Sequence, residues 1–291
     1  MKEFFKHILF FTITLFILLE GIVRLFSLTN DVPMRKTNSR GLQIFKENQS
    51  GFSHGFSWSV NKDGFLGHNE RNGENQLLII GDSFIENIMN PFSCRQSTLF
   101  SESGYTVFEV GRSGITFIES LEFLKYYNPI VNPKNTVIFL DNSDFEESVV
   151  EIKKLNDRGQ ISLIDKKLFP GEIKGKNIKK ILYNFKSLYY LYTKYLKSRN
   201  NTDQPKTKNE KFSFKSHIEE LIVYGSEKYN LENTLFVFRK ENNFKDVFHK
   251  LNLNYLELNI FEEQYLIPND GHWNCKGHQI AFDKILKYFN Q

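Results

Sequence analysis

Short apolar segments alternate with stretches of helical periodicity along most of this 291-residue chain, and this alternation constrains the fold more than any other feature. Residues 77–80 form an apolar run directly before Gly81, and apolar residues at helical spacing follow at 115–126. Further strands are predicted at 106–110, 136–140, 234–238 and 255–258, and a closing helix at about 276–289. Strands that alternate with helices form a parallel sheet covered on both faces. The sequence therefore predicts an α/β fold.

The N-terminus adds an element outside this alternation. Residues 8–19 are apolar apart from two threonines, and apolar residues continue to Leu28, interrupted by Glu20 and Arg24. A helix over residues 4–28 would be roughly 37 Å long, which is enough to cross a bilayer. Glu20 and Arg24 are four residues apart, so they can pair on such a helix.

A signal-peptide core fits the same apolar run, but no small-residue cleavage site follows it. This favours an uncleaved signal anchor or transmembrane helix over residues 1–29. Basic residues flank the run on both sides, so the positive-inside rule orients it only weakly. We expect residues 30–291 to be extracytoplasmic, in the periplasm or at the cell surface.

Composition excludes several classes of protein. The net charge of +4 is too small to imply a nucleic-acid partner, and no glycine-rich phosphate loop ending in Lys-Ser or Lys-Thr occurs. Cys94 and Cys275 are the only cysteines, which rules out a disulfide framework and a thiolate metal site. The two could pair outside the cytoplasm, but two buried thiols are the simpler interpretation.

Two regions lie outside the strand pattern. Residues 30–75 are polar and are predicted to be a lead-in with little regular structure. An insertion at about 165–225 contains apolar residues at three- and four-residue steps, with lysines between them. The apolar set is Ile178, Ile181, Leu182, Phe185, Leu188, Tyr192 and Tyr195. Such a basic amphipathic helix fits a solvated face over a packed stripe; on an anchored protein it could also rest on anionic lipid or bind an acidic polymer. Residues 198–211 are predicted to be a mobile loop.

Ser83 is the first candidate for chemistry. It stands in Ile-Gly-Asp-Ser, just after the apolar run 77–80 and before a predicted helix. The carboxyl end of a parallel strand is where ligands bind in open α/β folds, and a following helix would direct its N-terminal amides at an oxyanion. A helix N-cap serine would look the same.

His272 is the second candidate. It lies in Asp-Gly-His-Trp-Asn before the last helix, and Asp270 is two residues away. A histidine can take a serine proton only in the correct tautomer, which a neighbouring carboxylate can enforce. None of the other six histidines has an acidic residue two positions before it.

Ile-Gly-Asp-Ser near the start of an α/β domain and Asp-x-His-x-Asn near its end resemble the SGNH (GDSL-type) hydrolase family. The segment 60–67 also resembles the one that precedes the nucleophile in membrane-anchored members. The resemblance covers about residues 55–150 and 232–290. It implies a flavodoxin-like three-layer α/β/α fold and acyl transfer or hydrolysis, usually of O-esters, without a metal or another cofactor.

The family pattern assigns further roles. The backbone amide of Ser83 would contribute to an oxyanion hole, with Gly114 as the better second donor and Gly111 as the alternative. The family's third block places an Asn donor after the third strand. Here the sequence is Leu-Asp-Asn-Ser-Asp, so either Asn142 or Ser143 fills that position; we favour Asn142.

The last block departs from the common pattern. Most members have Asp three residues before His, where this chain has Asn269. Asp270 lies two residues before His272, and Trp273 follows the histidine directly. This pattern is similar to that of the branch that includes alginate O-acetyltransferases. This similarity favours acylation chemistry on polysaccharides.

We therefore predict a serine esterase or O-acetyltransferase with Ser83 as nucleophile, His272 as general base and Asp270 as its orienting carboxylate. The expected substrate is an acyl ester or glycan, and the expected membrane contact is the N-terminal helix. A non-catalytic glycan-binding or assembly factor with the same fold is the first alternative, and a lipid esterase is the second.

Overall fold

The computed structural model describes residues 1–196 and 211–291. The loop predicted at 198–211 lies, apart from its last residue, outside these ranges.

The chain begins with a long apolar helix, α1 (Lys2–Leu25), as predicted. Its most apolar 18-residue window has a mean hydropathy of 2.2, so by length and composition α1 could cross a membrane or serve as a signal sequence. The predicted pair on this helix is present: Arg24 Nε donates to Glu20 Oε1 over 2.7 Å.

The lead-in is more regular than predicted. It contains two antiparallel hairpins, β1 (Arg35–Thr37) with β2 (Gln43–Phe45) and β3 (Ser50–Ser53) with β4 (Phe56–Ser59). His54 and Gly55 both have positive φ, at 52° and 88°, which is the geometry of the two-residue turns that close hairpins. The sequence analysis did not predict these strands because they are only three or four residues long and lie in a polar segment.

A five-stranded parallel sheet forms the centre of the domain. The remaining strands are β5 (Gln76–Gly81), β6 (Thr106–Gly111), β7 (Asn135–Leu140), β8 (Gln160–Ser162), β9 (Lys167–Phe169), β10 (Thr234–Phe238) and β11 (Asn254–Glu257). The central sheet has the order β11-β10-β7-β5-β6, and β8 pairs with β9 in a separate hairpin. This is the flavodoxin-like order, in which the direction of winding reverses between β5 and β7.

Helices cover both faces of this sheet. The helices that follow α1 are α2 (Ser83–Glu86), α3 (Gln96–Glu102), α4 (Phe117–Val131), α5 (Asn142–Ser148), α6 (Lys176–Asn184), α7 (Lys186–Leu191), α8 (Lys211–Lys228), α9 (Lys245–Lys250) and α10 (Cys275–Phe289). Of these, α6 packs on α7 and α7 packs on α1, and the others form the layers on the sheet. Short 3-10 helices occupy Phe92–Cys94 and Glu263–Tyr265. The predicted three-layer α/β/α fold is therefore confirmed.

Alternate residues of each central strand enter separate cores. Leu78 and Ile80 pack with α4, α5, α8 and α9, whereas Leu77 and Ile79 pack with α3 and α10. All four side chains are fully buried. Burial on both faces explains why the strands read as continuous apolar runs in the sequence.

The predicted amphipathic helix is divided. Helix α6 ends before Phe185, which has an extended backbone, and α7 starts again at Lys186 and continues as a π-helical turn over Tyr192–Leu196. No residue of α6 is buried, and Ile178 and Ile181 are 66% and 53% exposed. The prediction that the apolar stripe packs on the domain is therefore wrong for α6.

Glu109 on β6 supplies a testable pH dependence. Burial raises its pKa from 4.5 to about 7, against weaker opposing effects that include the Ser97 hydrogen bonds and the charge of Arg95. The folded protein therefore keeps a proton that the unfolded chain loses above about pH 4.5, and this makes stability fall as pH rises to about 7.

We expect Glu109→Gln to remove this effect, because the amide keeps an acceptor for the N–H of Ser97 without a charge. The free energy of unfolding should increase by up to about 3 kcal/mol at about pH 8, with little change near pH 4.5. Urea unfolding of both proteins across this range measures the difference. The same pH dependence in both would contradict the assignment.

Candidate active site

The turn after β5 exposes Ser83 at the carboxyl edge of the sheet. Gly81 ends the strand and Ser83 begins α2. The side chain of Asp82 caps this helix, since its Oδ1 accepts from the N–H of Phe84 over 3.0 Å. The capping role thus belongs to Asp82, and the hydroxyl of Ser83 is available for another partner.

That partner is His272. Its Nε2 lies 2.9 Å from Ser83 Oγ, and its Nδ1 makes a short contact with Asp270 Oδ1. If Asp270 accepts the Nδ1 proton, Nε2 is the free acceptor for the serine hydroxyl. The His272 and Asp270 side chains are 27% and 35% exposed, so the arrangement is accessible from solvent. The structure therefore brings together the three residues proposed from sequence.

The local backbone explains how a carboxylate only two residues before His272 can reach its ring. Asn269 and Gly271 have φ of 62° and 83°, so a left-handed residue stands on each side of Asp270. Asparagine and glycine tolerate this conformation better than other residues do. The resulting tight turn brings a carboxylate two positions before His272 onto its Nδ1.

The histidine loop is fixed by several further contacts. The backbone N–H of Ile267 donates to the carbonyl of His272 over 2.7 Å, and Trp273 is fully buried. Asn90, which follows α2 in the chain, donates from Nδ2 to the carbonyl of Trp273 over 2.8 Å. Asn274 caps α10 by accepting from two N–H groups. These contacts hold the His272 ring near Ser83 and leave both ring nitrogens free for Ser83 and Asp270.

A disulfide joins the same two regions. Cys94 and Cys275 are bonded, with a Cα–Cα separation of 5.0 Å and 181 residues of sequence between them. The interpretation as two buried thiols is therefore wrong. Cys94 ends the 3-10 helix after α2, and Cys275 begins α10 three residues after His272, so the bond links the nucleophile and histidine segments covalently.

Gly114 lies in the loop between β6 and α4 (residues 112–116), named the oxyanion loop for the role predicted for Gly114, and this loop is hydrogen-bonded to α2. Glu86 of α2 accepts hydrogen bonds from the backbone N–H and the hydroxyl of Ser113. Gly114 has a φ of 76°, and within the described residues its N–H and that of Ser83 make no hydrogen bond. Both amides thus remain available as donors to a developing oxyanion.

Gly111 has a packing role. A β-carbon there would lie 2.7 Å from the backbone nitrogen of Glu86, so a larger residue would push α2 away from β6. Glycine at this position allows the nucleophile helix to pack directly on the neighbouring strand.

The third block is used differently from the expectation. Asn142 begins α5, and its carboxamide bridges to the loop after β10: Nδ2 donates to the carbonyl of Glu241 over 2.8 Å, and Oδ1 accepts from the N–H of Asn243 over 3.0 Å. Ser143 instead donates to Asp141 Oδ1. To donate to an oxyanion, the Asn142 side chain would have to give up its hydrogen bond to the carbonyl of Glu241. The oxyanion role of Asn142 stays a prediction.

Arg239, which the sequence analysis missed, supplies positive charge near the site. Its guanidinium binds Asp141 Oδ2 over 2.6 Å and lies 4.7 Å from the ring centroid of Phe84, which is itself 4.8 Å from the ring of His272. Burial raises the pKa of Asp82, and the nearby charges of His272 and Arg239 act in the opposite direction. The arginine directly follows β10, and that position was the only sequence signal for it.

No protein-family model matches the chain, and no match was found among curated proteins. Among solved structures, the chain is similar to the psychrotrophic esterase EstA from Pseudoalteromonas, at 12% identity over 75% of this chain and 100% of that one, with a TM-score of 0.39. A lipolytic protein of the G-D-S-L family from Veillonella parvula shares 10% identity over 74% of this chain and 98% of its own, with a TM-score of 0.36. A family two carbohydrate esterase from Clostridium thermocellum shares 12% identity over 78% of this chain and 67% of its own, with a TM-score of 0.41.

Proposed function

We propose that this protein is a serine-dependent acyl ester hydrolase or acyltransferase of the SGNH type. The observation that carries the proposal is the hydrogen-bonded series Ser83–His272–Asp270 at the carboxyl edge of a parallel sheet. A hydroxyl, an imidazole and a carboxylate in this order are the parts required for nucleophilic acyl chemistry.

In the proposed mechanism, Ser83 Oγ attacks the acyl carbonyl while His272 Nε2 takes the hydroxyl proton. The negative oxygen of the tetrahedral intermediate receives hydrogen bonds from the N–H groups of Ser83 and Gly114. The intermediate collapses to an acyl-serine, and His272 gives its proton to the departing alkoxide. Water or a sugar hydroxyl then attacks the acyl-serine by the reverse sequence, which releases the acid or a new ester and restores Ser83.

We also propose that the natural ester is an acetyl group on a cell-surface or exported polysaccharide. A cavity of about 270 Å³ lies beside the oxyanion loop and is lined by polar side chains that include Gln43, Asp157 and Tyr183. Arg35, in the same wall, donates to the carbonyl of Ser113 over 2.9 Å, one residue before Gly114. The lining also includes apolar residues such as Val32, Met34 and Ile173, and its polar side chains supply hydrogen-bond partners for a polyhydroxylated acceptor.

Membrane anchoring through α1, with the catalytic domain extracytoplasmic, completes the proposal. The disulfide between Cys94 and Cys275 supports it, because disulfides persist mainly in oxidising compartments. Residues 30–291 would then form the enzyme domain, with the helical insertion at about 165–225 as a part of it.

Covalent labelling tests the proposed chemistry. The full-length protein in detergent is treated with an alkyl fluorophosphonate, whose phosphorus is attacked by an activated serine with loss of fluoride. We expect one adduct, on the peptide that contains Ser83, together with hydrolysis of p-nitrophenyl acetate. Ser143→Ala is the matched control, since this serine also follows a central strand but has no histidine partner in the described structure; it should label normally.

No adduct, or an adduct on another serine, would reject Ser83 as the nucleophile and favour the non-catalytic binding role. Addition of a glycan acceptor to the acylated protein separates the two activities. A transferase forms an O-acetylated glycan, whereas a hydrolase releases acetate only.

A further inference from the structure

We propose that residues 176–196, which comprise α6, α7 and the π-helical turn, form a membrane-docking element. This element would lie in the headgroup and upper acyl region of the leaflet that surrounds the C-terminal half of α1. The proposal rests on the anchor role of α1 proposed above, and it assigns the insertion a partner of defined chemistry, an anionic phospholipid surface.

The first observation is that α7 is capped by a residue of the anchor. Glu20 on α1 accepts hydrogen bonds from the backbone N–H groups of Lys186 and Ser187, over 2.9 and 2.8 Å, and from the hydroxyl of Ser187 over 2.8 Å. Arg24 donates to the carbonyl of Asn184, near the C-terminal end of α6, over 2.7 Å. The α6–α7 corner is therefore bound to α1 through both of the anchor's internal charges.

These contacts also explain how α1 can carry charged residues. A carboxylate in an apolar membrane helix is costly unless it faces a polar partner. Glu20 has three donors from α7 and a fourth from Arg24, and its side chain is only 15% exposed. The insertion thus supplies the polar environment that Glu20 would otherwise lack.

The second observation concerns depth. Phe185, between α6 and α7, packs against Phe16 of α1 with ring centroids 5.6 Å apart. Phe16 lies nine residues before the end of the helix at Leu25, which corresponds to about 13 Å along its axis. The hydrocarbon core is about 30 Å thick, so a spanning α1 places Phe16 among the acyl chains. Phe185 must then reach the same depth.

The third observation is the chemistry of the remaining surface. Ile178, Ile181 and Tyr195 are 66%, 53% and 66% exposed, although each is apolar or amphipathic. Lys180 stands on the same short helix as the two isoleucines, together with Lys176 and Lys179, which also line the cavity of about 270 Å³ described above. Apolar and aromatic residues beside lysines are typical of helices that lie in the membrane interface, where the lysines meet anionic headgroups.

Docking would also fix the orientation of the enzyme domain. Lys186 forms an ion pair with Asp31, which follows α1, and Arg35, four residues later, is bound to the oxyanion loop at Ser113. The carboxyl edge of the sheet would consequently stay at a constant height above the leaflet and would reach only esters close to the membrane.

Spin-label depth measurements test the proposal. The full-length protein is placed in nanodiscs of phosphatidylcholine with phosphatidylglycerol, with a single nitroxide at Ile181→Cys. The native cysteines are paired, so the introduced thiol is the one available for labelling in the described chain. The matched control is Ile130→Cys, an isoleucine that is 41% exposed near the end of α4, a helix of the sheet layer that packs with Leu78 and Ile80.

We expect the Ile181 label to collide several-fold more with oxygen, relative to a water-soluble nickel complex, than the Ile130 label does. Equal, aqueous behaviour of both labels in protein that resists carbonate extraction would overturn the docking alone. Release of the protein by carbonate would overturn both docking and anchor. Fluorophosphonate labelling of Ser83 tests the enzyme separately in every case.

A second variant tests the cap without altering the exposed face. Glu20→Leu removes the acceptor of α7, and we expect amide hydrogen exchange in Lys186 and Ser187 to become about tenfold faster in nanodiscs. Glu3→Leu is the control, because within the described residues the carboxylate of Glu3 pairs with Lys6 alone, at the other end of α1. Unchanged exchange in Glu20→Leu would contradict the capping contact on which the element depends.

Discussion

Replacing His272 by alanine is expected to lower kcat for an acetyl ester by about 10⁴- to 10⁶-fold, because Ser83 would lose the acceptor of its proton. Asp270→Asn should lower kcat by about 10⁴-fold, since an amide at this position favours the wrong tautomer of His272. The double variant His272→Ala/Asp270→Asn should be no slower than His272→Ala alone, because the carboxylate acts only through the imidazole. Steady-state hydrolysis of p-nitrophenyl acetate by the full-length proteins measures all three.

The control for this series is Asp283→Asn. Asp283 accepts a hydrogen bond from Gln279 on the exposed side of α10 and has no contact with the proposed site. Its variant should keep the activity of the unaltered protein. Loss in Asp283→Asn equal to that in Asp270→Asn, or independent losses that multiply in the double variant, would contradict the proposed series of contacts.

The position of these residues could be predicted because it depends on simple sequence rules. Ser83 follows a continuous apolar run, and such a run marks a strand buried on both faces of a parallel sheet. The end of that strand and the start of the last helix meet at one edge of the sheet. A serine and a histidine at these two points were therefore expected to lie close together, and the distance between Oγ and Nε2 agrees with this.

The parts that were missed depend on tertiary contacts. The amphipathic pattern from Ile178 to Tyr195 reads as one helix, but Glu20 caps new N–H groups at Lys186 from about 165 residues away in sequence, and the helix is divided there. The family resemblance assigns Asn142 to the oxyanion hole, a role that stays a prediction, and the sequence did not show that its carboxamide binds the loop after β10. Neither partner can be identified from the local sequence.

The disulfide also depends on tertiary contacts that the local sequence does not show. Cys94 and Cys275 each follow one of the two proposed catalytic segments, but the sequence does not show that their β-carbons face one another. Pairing requires two backbones to approach within a narrow range of distances. The packing of α3 against α10, in which Gln96 donates to the carbonyl of His278, and the hydrogen bond from Asn90 to the carbonyl of Trp273 bring the two segments into that range.

Removal of this disulfide should be the largest single loss of stability among these changes. The bond closes a loop of about 180 residues, and its loss in Cys94→Ser/Cys275→Ser should lower the free energy of unfolding by about 2–5 kcal/mol. The main physical reason is that the unfolded chain regains the conformations that the crosslink forbids. Urea unfolding in non-ionic detergent, followed by tryptophan fluorescence, measures this loss because Trp273 lies next to the histidine loop.

Dithiothreitol provides the matched control. The unaltered protein, unfolded in reductant, should show the same midpoint as the double variant, whereas the variant should not respond to reductant. The active site should be affected less than stability, because Asn90, Ile267 and Asn274 still hold the histidine loop through hydrogen bonds. Fluorophosphonate labelling of Ser83 should thus persist in the variant at temperatures where it remains folded. If the variant is as stable as the oxidised protein, the crosslink does not restrict the unfolded chain. If the folded variant is no longer labelled at Ser83, the disulfide positions His272 directly.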